Sequence, residues 1–177
     1  MIIDMNVGVF GYSGSLSDEK INRVSGLALE VGKTIAQYGH TLYTGGRDGI
    51  MELVSRGAKE MRGRVVGILP DGEVGNMYLD TRIDTGMDFT MRSLILVKSI
   101  DFVISIGGEV GTLFEIISAY CYEKPVILFE GTGGWTDRID KVLIDKKYLD
   151  NRKLIEVKKV KSIEELREYL EVINDKM

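Results

Sequence analysis

Cysteine, histidine, proline and tryptophan are all scarce in this chain. One cysteine, Cys121, stands among 177 residues. A single thiol permits no internal disulfide and agrees with a reducing compartment. Set in an apolar helical stretch, Cys121 is expected to be a small buried core residue. The one histidine, His40, argues against a Ser-His-Asp triad. No cluster of His, Cys and carboxylates has metal-ligand spacing, so no metal site is predicted. Basic charge is not in excess: the net charge is −4, which speaks against nucleic acid as a partner. No apolar run reaches membrane-spanning length, and no membrane partner is predicted. The first apolar run, Val7 to Phe10, is too short for a signal peptide and lacks a basic region before it. A cytoplasmic protein is the expectation. The two prolines, Pro70 and Pro125, each punctuate a predicted element.

What is present is glycine, in loops between short apolar runs. With 44% hydrophobic and 28% charged residues, the chain has the composition of one globular domain over residues 1–177. Asn6 to Tyr12, Thr41 to Tyr43, Arg64 to Leu69, Phe102 to Ile106, Val126 to Phe129 and Leu154 to Val157 read as strands. Tyr78 to Ile83 reads as extended or irregular. Between them a 3.6-residue apolar period predicts helices from about Ser17 to Tyr38, Ile50 to Met61, Phe89 to Lys98, Leu113 to Cys121 and Asp137 to Asp145. Ser162 with Glu165 forms a capping box for a last helix ending near Ile173. Lys158-Lys159-Val160-Lys161 reads as a solvated stretch before it. Strands alternating with helices predict the α/β class, a Rossmann-like parallel sheet with helices on both faces. Ligands in such folds sit at the carboxyl ends of the strands, where the glycine loops fall.

Gly107-Gly108-Glu109-Val110-Gly111-Thr112 follows one strand and opens a helix. Thr44-Gly45-Gly46-Arg47-Asp48-Gly49 does the same after another. Glycines let backbone approach a ligand, and a helix N-terminus offers free N–H groups to an anion. Two such loops predict a shared crevice for a small phosphorylated ligand. Its candidate binding residues are Gly11, Ser13, Gly45, Gly46, Gly49, Gly107, Gly108, Glu109, Val110, Gly111 and Thr112. Glu115 lies one turn into the helix, off the predicted apolar stripe of Leu113, Ile116, Ile117, Tyr120 and Cys121. Its reference pKa predicts an ionised carboxylate at neutral pH. Arg92 is either an exposed helix-end residue or a partner for ligand or Glu115. Trp135 is read as a packing or subunit-contact residue, with ring stacking on a ligand as the alternative. The spacing Gly8, Gly11, Gly14 is not the dinucleotide fingerprint. Gly32-Lys33-Thr34 has Leu27 where a phosphate loop of that type needs glycine.

The segment TGGRDGIMELVSRGA (Thr44 to Ala58) resembles the GGGxxGLMGxVA segment of the LOG-type family, once mislabelled lysine decarboxylases. GGEVGTLFE (Gly107 to Glu115) resembles its PGGxGTxxE segment, and Arg92 falls at the arginine of MxxRK. Gly131 to Arg138, GTGGWTDR, resembles a branch that includes molybdenum-cofactor carrier proteins. Here Ile106 replaces the proline, Thr44 the first glycine, Phe89 the methionine and Ser93 the lysine, and one residue is added between Gly108 and Gly111. The resemblance implies nucleotide binding and removal of ribose 5-phosphate from a nucleoside 5'-monophosphate by cleaving the N-glycosidic bond. Arg92 and Glu115 would be the catalytic pair, and no cofactor would be required. The alternative it implies is a carrier of the molybdenum cofactor, a pterin, or a nucleotide sensor without chemistry. A homodimer or homotetramer is implied as well.

Overall fold

The alternation in the sequence becomes layers in the computed structural model, which describes residues 4–176. The elements in order are β1 (Asn6–Gly11), α1 (Glu19–Gln37), β2 (Thr41–Thr44), α2 (Ile50–Glu60), β3 (Val65–Leu69), β4 (Thr81–Asp84), α3 (Phe89–Lys98), β5 (Phe102–Ile106), α4 (Val110–Cys121), β6 (Val126–Phe129), α5 (Gly134–Asp140), β7 (Val157–Val160) and α6 (Ile163–Lys176). The seven strands form one parallel sheet in the order β4-β3-β2-β1-β5-β6-β7. Strands β3, β5 and β6 are buried on both faces, as their nearly continuous apolar sequences require.

Each face of the sheet has its own core. One gathers Val7, Val9, Leu42, Ile104 and Phe129 with Ile21, Ala28, Val31 and Ile35 of α1, Leu53 and Val54 of α2, and Leu166 and Leu170 of α6. The other gathers Phe10, Val66, Val103 and Leu128 with Leu96 and Val97 of α3, Ile116, Ala119 and Tyr120 of α4, and Ile139 of α5. Helices α1 and α2 lie close together because Gly32 and Gly57 lack side chains. A Cβ on Gly32 would strike the Val54 carbonyl, and one on Gly57 the Leu29 carbonyl. Burial of such side chains contributes roughly 1.5–3 kcal/mol each and holds the layers together.

The strand order reverses beside β1. The chain winds outward through β2, β3 and β4, then returns to place β5 on the other side of β1. Gly11, the last residue of β1, is level with Ile106, the last of β5. The loops leaving these two strands diverge to opposite faces of the sheet and open a crevice at the carboxyl ends.

Several local expectations are corrected. Cys121 is exposed, and Ile117 is 43% exposed. Helix α4 is apolar nearly all round, so its sequence does not fix its rotation. The buried set is Thr112, Ile116, Ser118, Ala119 and Tyr120. The last strand begins at Val157 and not at Leu154, and it takes in Lys158, Lys159 and Val160 of the lysine stretch. It is an edge strand, where lysine stems lie on the sheet while their heads reach acids. Lys159 Nζ is 2.8 Å from Asp140 and Lys158 Nζ 2.7 Å from Glu156. Helix α5 starts early, because the Asp137 carboxylate accepts the N–H groups of Gly131 and Gly133 at 2.9 and 2.7 Å and folds the glycine loop onto it. The cap of α1 is Asp18, accepting from Lys20 N–H at 2.9 Å, and not Ser17. The extended alternative for Tyr78 to Ile83 holds in part: Thr81–Asp84 forms the exposed edge strand β4.

Candidate functional site

Helix α4 begins in the crevice without a side-chain cap. Its first intrahelical bond runs from Leu113 N–H to the Glu109 carbonyl at 3.2 Å. The N–H groups of Val110, Gly111 and Thr112 find no acceptor among the described residues. Three free donors with the helix dipole behind them are an arrangement that attracts an anion. Glu109 to Thr112 line a cavity of about 350 Å³, which Gly11, Ser13, Gly45, Arg92 and Glu115 also line. That volume is in the range of small-molecule sites.

The remaining glycine candidates, Gly46, Gly49, Gly107 and Gly108, do not line the cavity. Gly107 N–H donates to Thr132 Oγ1 at 2.8 Å, and its carbonyl accepts from Thr136 Oγ1 at 2.6 Å. The Gly108 carbonyl accepts Trp135 N–H at 2.8 Å. Thr132 and the first turn of α5 therefore hold the loop before α4. Gly107 has a φ of 63°, and a Cβ there would enter the Tyr12 ring, so only glycine fits. Gly46 N–H is held by Thr44 Oγ1 at 2.9 Å, and Gly49 is the residue that caps α2. Trp135 lies outside the cavity lining, against the Arg138 guanidinium at 5.6 Å.

Arg92 is buried, with 5% of its surface exposed, and not a solvated helix-end residue. Helix α3 places it there because Asp88 caps the helix, accepting Thr90 and Met91 N–H at 2.9 Å each. Its guanidinium occupies the space above Gly45, where a Cβ would collide with it. Its Nε has no hydrogen-bond partner. Burial lowers its pKa, a trend Arg47 reinforces and Glu115 opposes. A guanidinium at a cavity wall with no ion-pair partner among the described residues is suited to an anion that enters from outside.

The structure overturns the expectation that Glu115 is simply ionised. Its carboxyl is densely surrounded by protein, although the residue keeps some accessible surface at the cavity. Burial pushes its pKa up from 4.5 to about 7, against the pull of Ser93 and Arg92. Ser93 Oγ donates to Glu115 Oε1 at 2.8 Å. Among the described residues no ion pair joins Arg92 to Glu115. A carboxyl with a pKa near neutral can both take and give a proton.

The cavity also contains residues that the sequence reading did not single out, namely Arg47, Met51, Phe89, Thr90, Ser93 and Phe114. Arg47 was visible inside the second glycine loop, and Ser93 beside Arg92. Phe114 carried no signal of its own. Arg47 Nε pairs with Glu73 at 3.3 Å. At the other lip Lys20 pairs with Glu109 at 3.0 Å. No group of three His, Cys, Asp or Glu residues suited to a metal occurs among the described residues, and none of their helices is long and apolar enough to cross a membrane.

A model of the SLOG cluster4 family matches residues 4–164. The chain belongs to the SLOG cluster4 family. The crystal structure of TM1055, a structural-genomics target, is similar to this SLOG chain at a TM-score of 0.93 and 51% identity, covering 95% of this chain and 99% of the other. The molybdenum cofactor binding protein of Rippkaea orientalis matches at a TM-score of 0.77 and 30% identity, over 98% and 99%. The molybdenum cofactor carrier protein of Chlamydomonas reinhardtii matches at 0.79 and 26%, over 97% and 98%. The fold of this SLOG chain is thus shared along its length with proteins named for binding or carrying the molybdenum cofactor.

Proposed function

We propose that this SLOG protein binds a phosphorylated small molecule, a pterin-type cofactor or a nucleotide, with its phosphate at the N-terminus of α4. The observation that carries this reading is the set of three unused N–H donors at the start of α4, on a cavity that the buried Arg92 also lines. Arg92 and Ser13 would complete the phosphate's contacts. The similarity to two molybdenum cofactor proteins supports a pterin as cargo. The donor set suits that cargo's phosphate. The pterin would take the apolar part of the cavity, lined by Met51, Phe89, Val110 and Phe114.

A second reading is favoured by the place of Glu115, whose carboxyl is buried in the cavity wall beside Ser93 and Arg92, an environment that pushes its pKa up to about 7. In it the protein hydrolyses a nucleoside 5'-monophosphate. Water attacks the anomeric carbon, the N-glycosidic bond breaks, and the bonding pair leaves with the base, which takes a proton. Glu115 in its ionised form would orient the water and stabilise the sugar cation, and Arg92 would hold a sugar or phosphate oxygen. The assay is release of free base from AMP, GMP and CMP. Turnover that disappears in Glu115→Gln while binding persists supports hydrolysis. Binding with no turnover above the Glu115→Gln background establishes the carrier or sensor reading. A homodimer or homotetramer is part of the proposal, motivated by exposed apolar side chains on α3 and α4, among them Met91 and Ile117.

A further inference from the structure

Phe89 is the first residue of α3, and Asp88 caps that helix, so the position of its ring is set by the helix start. It lines the cavity and is nevertheless 49% exposed. The guanidinium carbon of Arg47 stands 4.9 Å from the ring centroid, and that of Arg92 stands at 6.0 Å. Arg47 is itself fixed. Glu73 holds its Nε, and Asn76 Nδ2 donates to its carbonyl at 2.8 Å. A planar cation is thus held against the ring while about half of Phe89 stays open. Free aromatic surface at a site lip is unfavourable in water and favourable against another flat ring. Trp135, the other aromatic candidate for stacking, is not in the cavity wall.

We propose that Phe89, backed by the Arg47 guanidinium, is the shelf on which the flat heterocycle of the ligand lies. This assignment rests on the phosphate reading above and adds the ring to it. The cavity then has two ends, the α4 N-terminus for phosphate and the α3 N-terminus for the ring. It accepts phosphorylated sugars that carry an aromatic base or pterin in preference to those without one. The closing experiment measures equilibrium binding of AMP and of ribose 5-phosphate to three proteins: wild type, Phe89→Ala and Phe89→Leu. Phe89→Leu keeps apolar bulk without a ring, and the partly exposed position makes folding of both variants expected. A base stacked on an aromatic side chain predicts a loss of AMP affinity of about 5- to 150-fold in both variants. Ribose 5-phosphate binding changes by less than about twofold. In a Trp135→Phe background, Phe89→Trp reports directly: AMP quenches its emission and ribose 5-phosphate does not. Equal AMP affinity in all three proteins overturns the shelf, as does an equal loss for both ligands. So does a changed assembly mass in Phe89→Ala with AMP binding intact, which assigns the residue to a contact between copies. A wild type that binds neither ligand removes the phosphate reading, and the shelf with it.

Discussion

The carboxyl of Glu115 is held in the fold at a pKa of about 7, against 4.5 in its ordinary state. Burial disfavours its charged form, and the hydrogen bond from Ser93 only partly offsets that. Each tenfold difference in proton affinity corresponds to about 1.4 kcal/mol. Ionising Glu115 in the native state therefore costs about 3 kcal/mol more than in the unfolded chain. The sign follows from proton counting. Between pH 4.5 and 7 the native state binds more protons than the unfolded state, so stability falls as pH rises through this window. Below it the group is protonated in both states and the penalty vanishes. Glu115→Gln keeps the shape and an oxygen for Ser93, and removes the charge. The variant is expected to be up to about 3 kcal/mol more stable than wild type at pH 8, or about 6–12 °C in Tm for a chain of this size. The gap should close by about pH 4.5. Thermal unfolding of both proteins at pH 4.5, 6, 7 and 8, without ligand, measures it. A Glu115→Gln protein no more stable than wild type at pH 8 would refute the reasoning, as would a gap that does not shrink on acidification.

Three further outcomes follow from the same geometry. Arg92→Met removes a buried charge whose Nε is unpartnered, so the ligand-free Tm should hold or rise while ribose 5-phosphate affinity falls about 10- to 150-fold; a fall in Tm with affinity unchanged contradicts the assignment. Ser93→Ala deletes the hydrogen bond that pulls Glu115 down, so the carboxyl should titrate above 7 when followed by carbon-13 NMR of the side chain; an unmoved or lowered value contradicts it. Light scattering should return a multiple of the chain mass for wild type and a smaller particle for Met91→Glu on exposed α3; a monomer at micromolar concentration removes the oligomer proposal.

The sheet and its site-bearing loops were legible in the sequence because both signals are local. Val103-Ile104 and Val126-Ile127-Leu128 are apolar runs too short for helices, and glycines mark where β2 and β5 turn into α2 and α4. The match of Phe89–Lys98 to α3 came from apolar periodicity. What the sequence hid was tertiary. Nothing near Arg92 says that Gly45 vacates the space it fills, so its burial was invisible. The environment of Glu115 depends on Ser93, 22 positions earlier, and on enclosure by both helices. Gly107 looked like a phosphate donor, but Thr132 of a distant loop and Thr136 of α5 already hold its backbone. The exposed Cys121 and the lysine-bearing β7 show the same limit, since a helix's rotation and an edge strand's start are set by neighbours.

The central claim, phosphate at the start of α4, is tested most directly at Gly111. A Cβ there meets no atom within 4 Å, and the residue lines the cavity. An acidic residue in the first turn of a helix favours the helix, so Gly111→Asp is expected to fold. Gly108 is a poorer choice, because a Cβ there collides with the Thr112 side chain. Calorimetric titration of ribose 5-phosphate into wild type and Gly111→Asp, with unfolding curves as the control, is the decisive measurement. Saturable binding in wild type that is lost in a folded Gly111→Asp is the predicted result; equal binding by both proteins, or none by wild type, would contradict it.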